Sequence, residues 1–304
     1  MLQITRLKVL VELNRRKTLT AVAKALSYST SAVSQQLQQL EAEAGVPLLE
    51  PAGRGVRLTS QALILVRHAE DILSRLEQAE AEVAASLNEV RGMIKVAAFQ
   101  TAALMLVPDM LVQLAESHPL IEVEITQGEP GETLPGLASG LFDLVVAEEF
   151  PGFPVPPAQG IEFHELHIDP LWVVLAGDHA VGIDRDTNII GQLGHMGWAM
   201  EPADTPPRLW VTSQCRKAGF EPRVMCTSED LMVHRRLVER GLAVAVLPEL
   251  ALSGAGPGLH RFPITEALQY RRIVTATRTG ARQHPSITAV RHALRTVIAG
   301  IGSV

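Results

Sequence analysis

The 304-residue chain reads as an α/β protein with an all-α N-terminal part. Three observations predict this. Residues 3–44 carry helical periodicity broken by a short Ser/Tyr turn. Residues 60–90 contain no Pro or Gly and repeat apolar residues at coiled-coil spacing. Beyond Gly92, short apolar runs alternate with helix-like segments, as strands and helices do in a layered α/β fold.

In the first segment, Ile4, Leu7, Leu10 and Val11 share one helical face and predict a helix over 3–15. Thr18 and Thr20 offer N-caps for a second helix at 21–26. A third begins near Thr30 or Ser31 and runs to about Ala44, where Gly45 and Pro47 stop it. Two helices joined by a tight turn form a helix-turn-helix, whose second helix enters a DNA major groove. Val33, Leu37 and Leu40 fall on one face of that helix. Thr30, Ser31, Ser34, Gln35, Gln38 and Gln39 fall elsewhere, as hydroxyls and amides able to meet base edges and phosphates. An ordinary solvated face is the alternative. Residues 53–58 then make an extended piece with a Gly-rich tip, a wing whose Arg54 and Arg57 would reach the phosphate backbone or minor groove.

Charge follows the same division. The net charge is −6, yet residues 1–66 hold eight basic against four acidic side chains. A basic head on an acidic body expects only the head to meet a polyanion. Composition, with 47% apolar residues, suits a globular protein with real cores. The longest apolar runs, such as 242–247, fall far short of the roughly 18 residues of a membrane span. Arg6, Lys8 and Glu12 interrupt the N-terminus, so it does not read as a secretory signal. Two cysteines build no disulfide framework, and the expected compartment is the cytoplasm. Zinc-hydrolase and P-loop motifs are absent from the sequence, and neither cofactor nor metal is expected.

Leu65, Ala69, Ile72, Leu76, Ala79, Val83 and Leu87 recur every three or four residues along 60–90. Such a seam pairs two helices. The alternative is a helix packed on its own domain, but about 28 residues make a rod of about 42 Å, long for one small domain to cover. A dimer also doubles the bases read.

In the body, strands are predicted at 93–99, 120–126, 142–147, 171–176, 197–200, 223–226, 243–247 and 272–278. Helices are predicted at 101–115 with a break near Pro108, at 134–139, 207–218, 229–240 and 286–299. This order argues for a largely parallel sheet. The Pro/Gly-rich stretch 151–160 marks a domain edge.

These residues carry a family resemblance. Residues 18–26, then Ser31-Ala32-Val33-Ser34-Gln35-Gln36-Leu37, Leu40-Glu41, Gly45, Pro47-Leu48 and Val56-Arg57-Leu58-Thr59 resemble the LysR-type transcriptional regulators in order and spacing. Departures occur at Leu49-Glu50-Pro51, where the family usually has Phe, any residue and Arg, and at Ala62, usually Gly. The body resembles the LysR-type effector domain at Gly92, Val107-Pro108, His118-Pro119, residues 140–144 and residues 241–248. The resemblance implies a winged helix-turn-helix at 1–59, a linker and dimerisation helix at 60–90, and a two-lobed periplasmic-binding-protein-like effector domain at 91–304. Lobe I would comprise about 91–160 and 270–304, lobe II about 161–269, with crossings near 148–162 and 264–275. It implies promoter DNA, a small-molecule effector, and a homodimer or homotetramer.

Ligands in open α/β folds sit beyond the strand ends. That position nominates Gln100, Thr101, Gly128, Glu129, Glu148, Glu201, Thr227 and Ser228 as effector-binding. Plain N-capping is the alternative for Thr101 and Ser228. Solvated loop charges are the alternative for the three glutamates, which otherwise favour a cationic or hydroxyl-rich ligand over the small carboxylates common in the family. Peroxide-sensing relatives carry a cysteine upstream of a position like Cys215; here none exists, and Cys215 and Cys226 read as simply buried. His164 and His167 lack a completing metal-ligand set. A ligand-responsive regulator, an enzyme of periplasmic-binding-like fold with an accessory DNA-binding head, and a pure DNA-bridging protein are the readings weighed. No GxSxG, strand-borne GxGxxG or triad supports the enzyme.

Overall fold

The computed structural model describes residues 1–53, 55–87, 89–184, 187–264 and 269–301. The head is α1 (Ile4–Arg16), α2 (Leu19–Leu26) and α3 (Thr30–Ala44), followed by a hairpin of β1 (Leu49–Ala52) and β2 (Gly55–Leu58). Local chemistry sets these limits. The Thr18 hydroxyl accepts from the Ala21 N–H at 3.2 Å and the Ser29 hydroxyl from the Ala32 N–H at 3.1 Å. Each such cap stabilises its helix by about 1 kcal/mol. Gly45 ends α3 at φ +69°, a left-handed turn that a Cβ would strain. Val33, Leu37 and Leu40 are buried as expected, against Leu7, Leu10 and Val22. Ile4 is not: it is 45% exposed, and Val9 and Leu13 fill the core in its place.

The linker helix α4 runs Ser60–Ala85, ending short of residue 90. Ala62, Val66 and Ala69 bury one side of it against the head. Ile72, Leu76, Val83 and, just beyond its end, Leu87 remain exposed.

Lobe I follows as β3 (Gly92–Ala98), α5 (Gln100–Met105), α6 (Val107–Ser117), β4 (Ile121–Gln127), α7 (Pro130–Ser139) and β5 (Leu144–Glu149). Pro108 sits in the first turn of α6, so the expected break is real. The chain crosses on β6 (Ile161–Ala176) into lobe II: α8 (Gly177–Ala180), a 3-10 turn, β7 (Gly197–Met200), α9 (Pro206–Lys217), β8 (Arg223–Thr227), α10 (Leu231–Glu239), β9 (Ala245–Pro248), α11 (Glu249–Leu252) and β10 (Leu259–Pro263). It returns on β11 (Tyr270–Arg278) and closes with α12 (Pro285–Ile301) against α6.

The sheet is mixed rather than largely parallel. Its order is β10-β6-β11-β5-β3-β4, with β9 also on β6. Among the described residues its parallel pairs are β3–β4 and β3–β5; β7–β8, also parallel, form a separate two-stranded sheet. β6 and β11 carry the chain between the lobes in opposite directions, so every pair they form is antiparallel. The first half of β6 pairs with β11 and the second half with β9 and β10, so one 16-residue strand belongs to both lobes. It begins ten residues before the expected start at Leu171. Separate apolar cores fill lobe I, around Val96, Phe99 and Leu294, and lobe II, around Leu171, Trp198 and Val244.

Head and lobe I touch. Glu12, 2% exposed, holds Arg15 at 3.1 Å and Arg16 at 2.8 Å. Arg15 then donates to the Ala138 carbonyl and Arg16 to the Pro135 carbonyl, both on α7. A Cβ on Gly280 would clash with the Ser74 backbone carbonyl, so that contact between α4 and lobe I admits only glycine.

Candidate DNA-reading face and interlobe cleft

On α3, Thr30, Ser31, Gln35 and Gln38 are exposed and Ser34 is half-buried. The Ser31 hydroxyl rests on Ser29 at 2.9 Å. Gln35 and Gln38 make no hydrogen bond to protein among the described residues. Their amides are thus free to pair with base edges. Gln36 is different: it accepts from Arg6, which also pairs with Glu43, and so braces the head internally. Arg6, Arg15 and Arg16, counted from the sequence as part of a basic surface, are therefore engaged within the chain. Arg57 stands on the wing, and Glu50 holds it at 2.7 Å across the hairpin. Arg54 lies outside the described residues.

The effector candidates divide. Glu129, Glu148 and Glu201 line one cleft of about 330 Å³, together with Asp204 and Glu229. Phe150, Phe153 and the prolines at 154, 156, 206 and 207 form its apolar walls. Gln100 sits beside it: its backbone N–H serves the Glu129 carboxyl, and its side-chain amide donates across the lobes to Asp230 at 3.0 Å. Thr101 is buried behind the cleft, and its hydroxyl accepts from Arg271 at 2.7 Å. It caps no helix, because α5 starts from Phe99 without a side-chain cap. Gly128 donates its N–H to the Ala98 carbonyl and Thr227 is exposed; neither lines the cleft. Ser228 does not open α10. Its hydroxyl accepts from the Asp230 N–H, and Asp230 is the cap, because its carboxylate accepts from the Met232 N–H at 2.8 Å.

Sequence reasoning missed the hub behind the cleft. Arg271, 1% exposed, joins Glu148 at 2.5 Å and Asp169 at 2.8 Å, and lies 5.0 Å over the Phe99 ring. Asp169 also accepts from the Leu250 N–H at 3.1 Å. Both residues lie on crossing strands, Arg271 within the crossing expected near 264–275 and Asp169 in a stretch given no element before the strand expected at Leu171. A lone charge among apolar residues, as in Ile168-Asp169-Pro170-Leu171, was the available signal. The Pro-rich stretch 151–160, read as an edge, supplies the cleft's Phe153 wall.

Burial and the mutual repulsion of the glutamates govern the electrostatics. Burial first, then the charges of Glu148 and Glu229, push Glu129 up to about 7. Burial also raises Glu148 against the pull of Arg271. Glu201 is raised well above the usual carboxylate range by burial and by Glu148 and Glu129. The cleft therefore holds protons that water would take. Between about pH 4.5 and 7 the folded chain keeps the Glu129 proton that the unfolded chain releases, so this group lowers stability as pH rises through that window. His164, His167 and His234 are lowered by burial and act in the opposite sense. Wild type minus Glu129→Gln isolates the carboxyl. The difference in unfolding free energy should turn against wild type by about 1 kcal/mol or more between pH 5 and 8; a flat difference would contradict the buried-proton account.

Residues 87–299 match the family model described as the LysR substrate binding domain, and residues 4–63 match the bacterial regulatory helix-turn-helix protein, lysR family. The chain belongs to the LysR family of transcriptional regulators. It is 25% identical over 238 residues, 78% of this chain and 80% of the relative, to an uncharacterised HTH-type transcriptional regulator, YybE, of Bacillus subtilis. Among solved structures it shares its fold with a full-length OxyR variant from Pseudomonas aeruginosa, at TM-score 0.65 and 22% identity, covering 97% of this chain and 95% of the other. It shares it also with full-length CbnR in complex with target DNA, at TM-score 0.54 and 22% identity, covering 97% and 100%. The LysR-type protein is a DNA-binding regulator with a small-molecule effector domain, and both family models describe regulator parts rather than an enzyme. No helix of the described residues is long and apolar enough to cross a membrane. Cys215 is buried as expected, its thiol pushed up to about 12 by burial, whereas Cys226, also expected to be buried, is only half-buried.

Proposed function

We propose that this chain acts in the cytoplasm as a homodimer or homotetramer. Its units are a head at 1–59, a pairing helix at 60–90 and an effector domain at 91–304. Thr30, Ser31, Ser34, Gln35 and Gln38 read promoter DNA, and Arg54 and Arg57 hold its backbone. An effector in the interlobe cleft, against Gln100, Glu129, Glu148 and Glu201, shifts the balance between two lobe arrangements by its differential affinity for them. The observation that carries this reading is the face of α3: its apolar side is buried while Thr30, Ser31, Gln35 and Gln38 are exposed to solvent. On the wing, Arg57 exchanges Glu50 for a phosphate.

The test is Gln35→Ala against a promoter fragment selected from genomic DNA by the full-length protein. Specific binding should weaken by about 1–3 kcal/mol, roughly tenfold to a hundredfold, with random DNA bound almost unchanged. Equal loss on both would make Gln35 a backbone contact.

A further inference from the structure

We propose that the ligand of the interlobe cleft is an organic ammonium with an apolar body, an alkyl or aryl amine, rather than an anion. The proposal rests on the reading of the cleft as the effector site and names the chemistry that site takes.

Charge is the first ground. Five carboxylates line the cleft, at Glu129, Glu148, Asp204, Glu201 and Glu229, and no Lys or Arg is among the described residues lining it. The nearby cation, Arg271, is already shared between Glu148 and Asp169. Once these carboxyls ionise, an incoming carboxylate would therefore meet net repulsion without a free counter-ion.

Unmet hydrogen bonding is the second. The Glu201 carboxyl has no hydrogen bond or ion pair among the described residues, although it lines the cleft. The Gln100 side-chain oxygen is fully buried and has no partner, while its amide nitrogen is occupied by Asp230. Both are acceptors. A buried acceptor left unpaired costs about 1–3 kcal/mol, and an ammonium supplies up to three donors.

Shape is the third. Phe150 and Phe153 line the cleft, and with the surrounding prolines and Leu134 they give an apolar body a wall to bury against. A bare divalent ion has no use for these walls. Among the described residues no group of three His, Cys, Asp or Glu is placed to hold a metal. The raised Glu129 and Glu201 agree with the geometry: burial first and then the neighbouring glutamates raise both, and a bound cation would relieve that repulsion.

The probes are phenethylamine and 1,6-diaminohexane, compared with 3-phenylpropanol, 3-phenylpropanoate and magnesium ion. The measurement is the Tm of the full-length protein at pH 8, where Glu129 is ionised. At about 100 times its dissociation constant, an amine should raise Tm by several degrees. Glu201→Gln should weaken that binding on the order of tenfold or more. A shift by 3-phenylpropanoate, 3-phenylpropanol or magnesium in place of the amines overturns the proposal, as does no shift by any amine. An amine effect of equal size in Glu201→Gln also overturns it by placing the ligand elsewhere. The same amine is then added to protein bound to its selected promoter fragment. Cleft binding that leaves the DNA complex unchanged keeps the amine chemistry and removes the effector reading, so the two failures are distinct.

Discussion

Arg271→Ala should destabilise the protein by about 3–5 kcal/mol, the cost of breaking a buried ion pair by removing one partner. Its side chain is 1% exposed, Asp169 is fully buried, and Glu148 is 10% exposed. Without the guanidinium, two carboxylates remain in a dry interior beside an unpartnered Thr101 hydroxyl. The Phe99 ring loses the cation above it as well. Lysine is a poor substitute, because one ammonium cannot present the planar fork that meets Asp169, Glu148 and Thr101 together. Denaturant unfolding measures the loss. Asp169→Asn on the Arg271→Ala background should recover part of it, because neutralising one abandoned carboxylate removes the reason for the cost. A loss below about 1 kcal/mol would contradict the buried hub.

Leu76→Asp should separate the subunits. Ile72, Leu76 and Val83 form an apolar line along α4 that stays 37% exposed or more, continuing the same side of the helix on which Ala62, Val66 and Ala69 are buried against the head. Two copies pairing along that line bury Leu76 twice. Each loss removes about 1.5–3 kcal/mol of apolar burial and strands a charge in the seam. Dimer affinity should therefore fall by about two to four orders of magnitude. Sedimentation should show half the wild-type mass, and promoter affinity should drop because one head alone reads one half-site. Unchanged mass would refute pairing along this line.

The head was legible because its limits are local. Thr18, Ser29 and Gly45 each sit within three residues of the backbone group they satisfy or the turn they make. The linker overran for the same reason. Nothing in the sequence before Gly92 breaks a helix, and α4 instead ends where the Ser86 hydroxyl takes up the Val83 carbonyl. Glu129, Glu148 and Glu201 were found because strand ends converge in this fold class. Arg271 and Asp169 were not, because their meeting depends on the antiparallel register of two crossing strands 102 residues apart. No periodicity within either segment encodes it.

Helix α7 has Glu129 as its N-cap, and its last turns give the Pro135 and Ala138 carbonyls to Arg16 and Arg15. Ten residues at 1.5 Å each span about 15 Å. One short rod thus has its front tip in the cleft and its rear tip against the underside of α1. Whatever tilts the front must tug the rear, so a message to the DNA reader has a mechanical route that bypasses lobe II altogether.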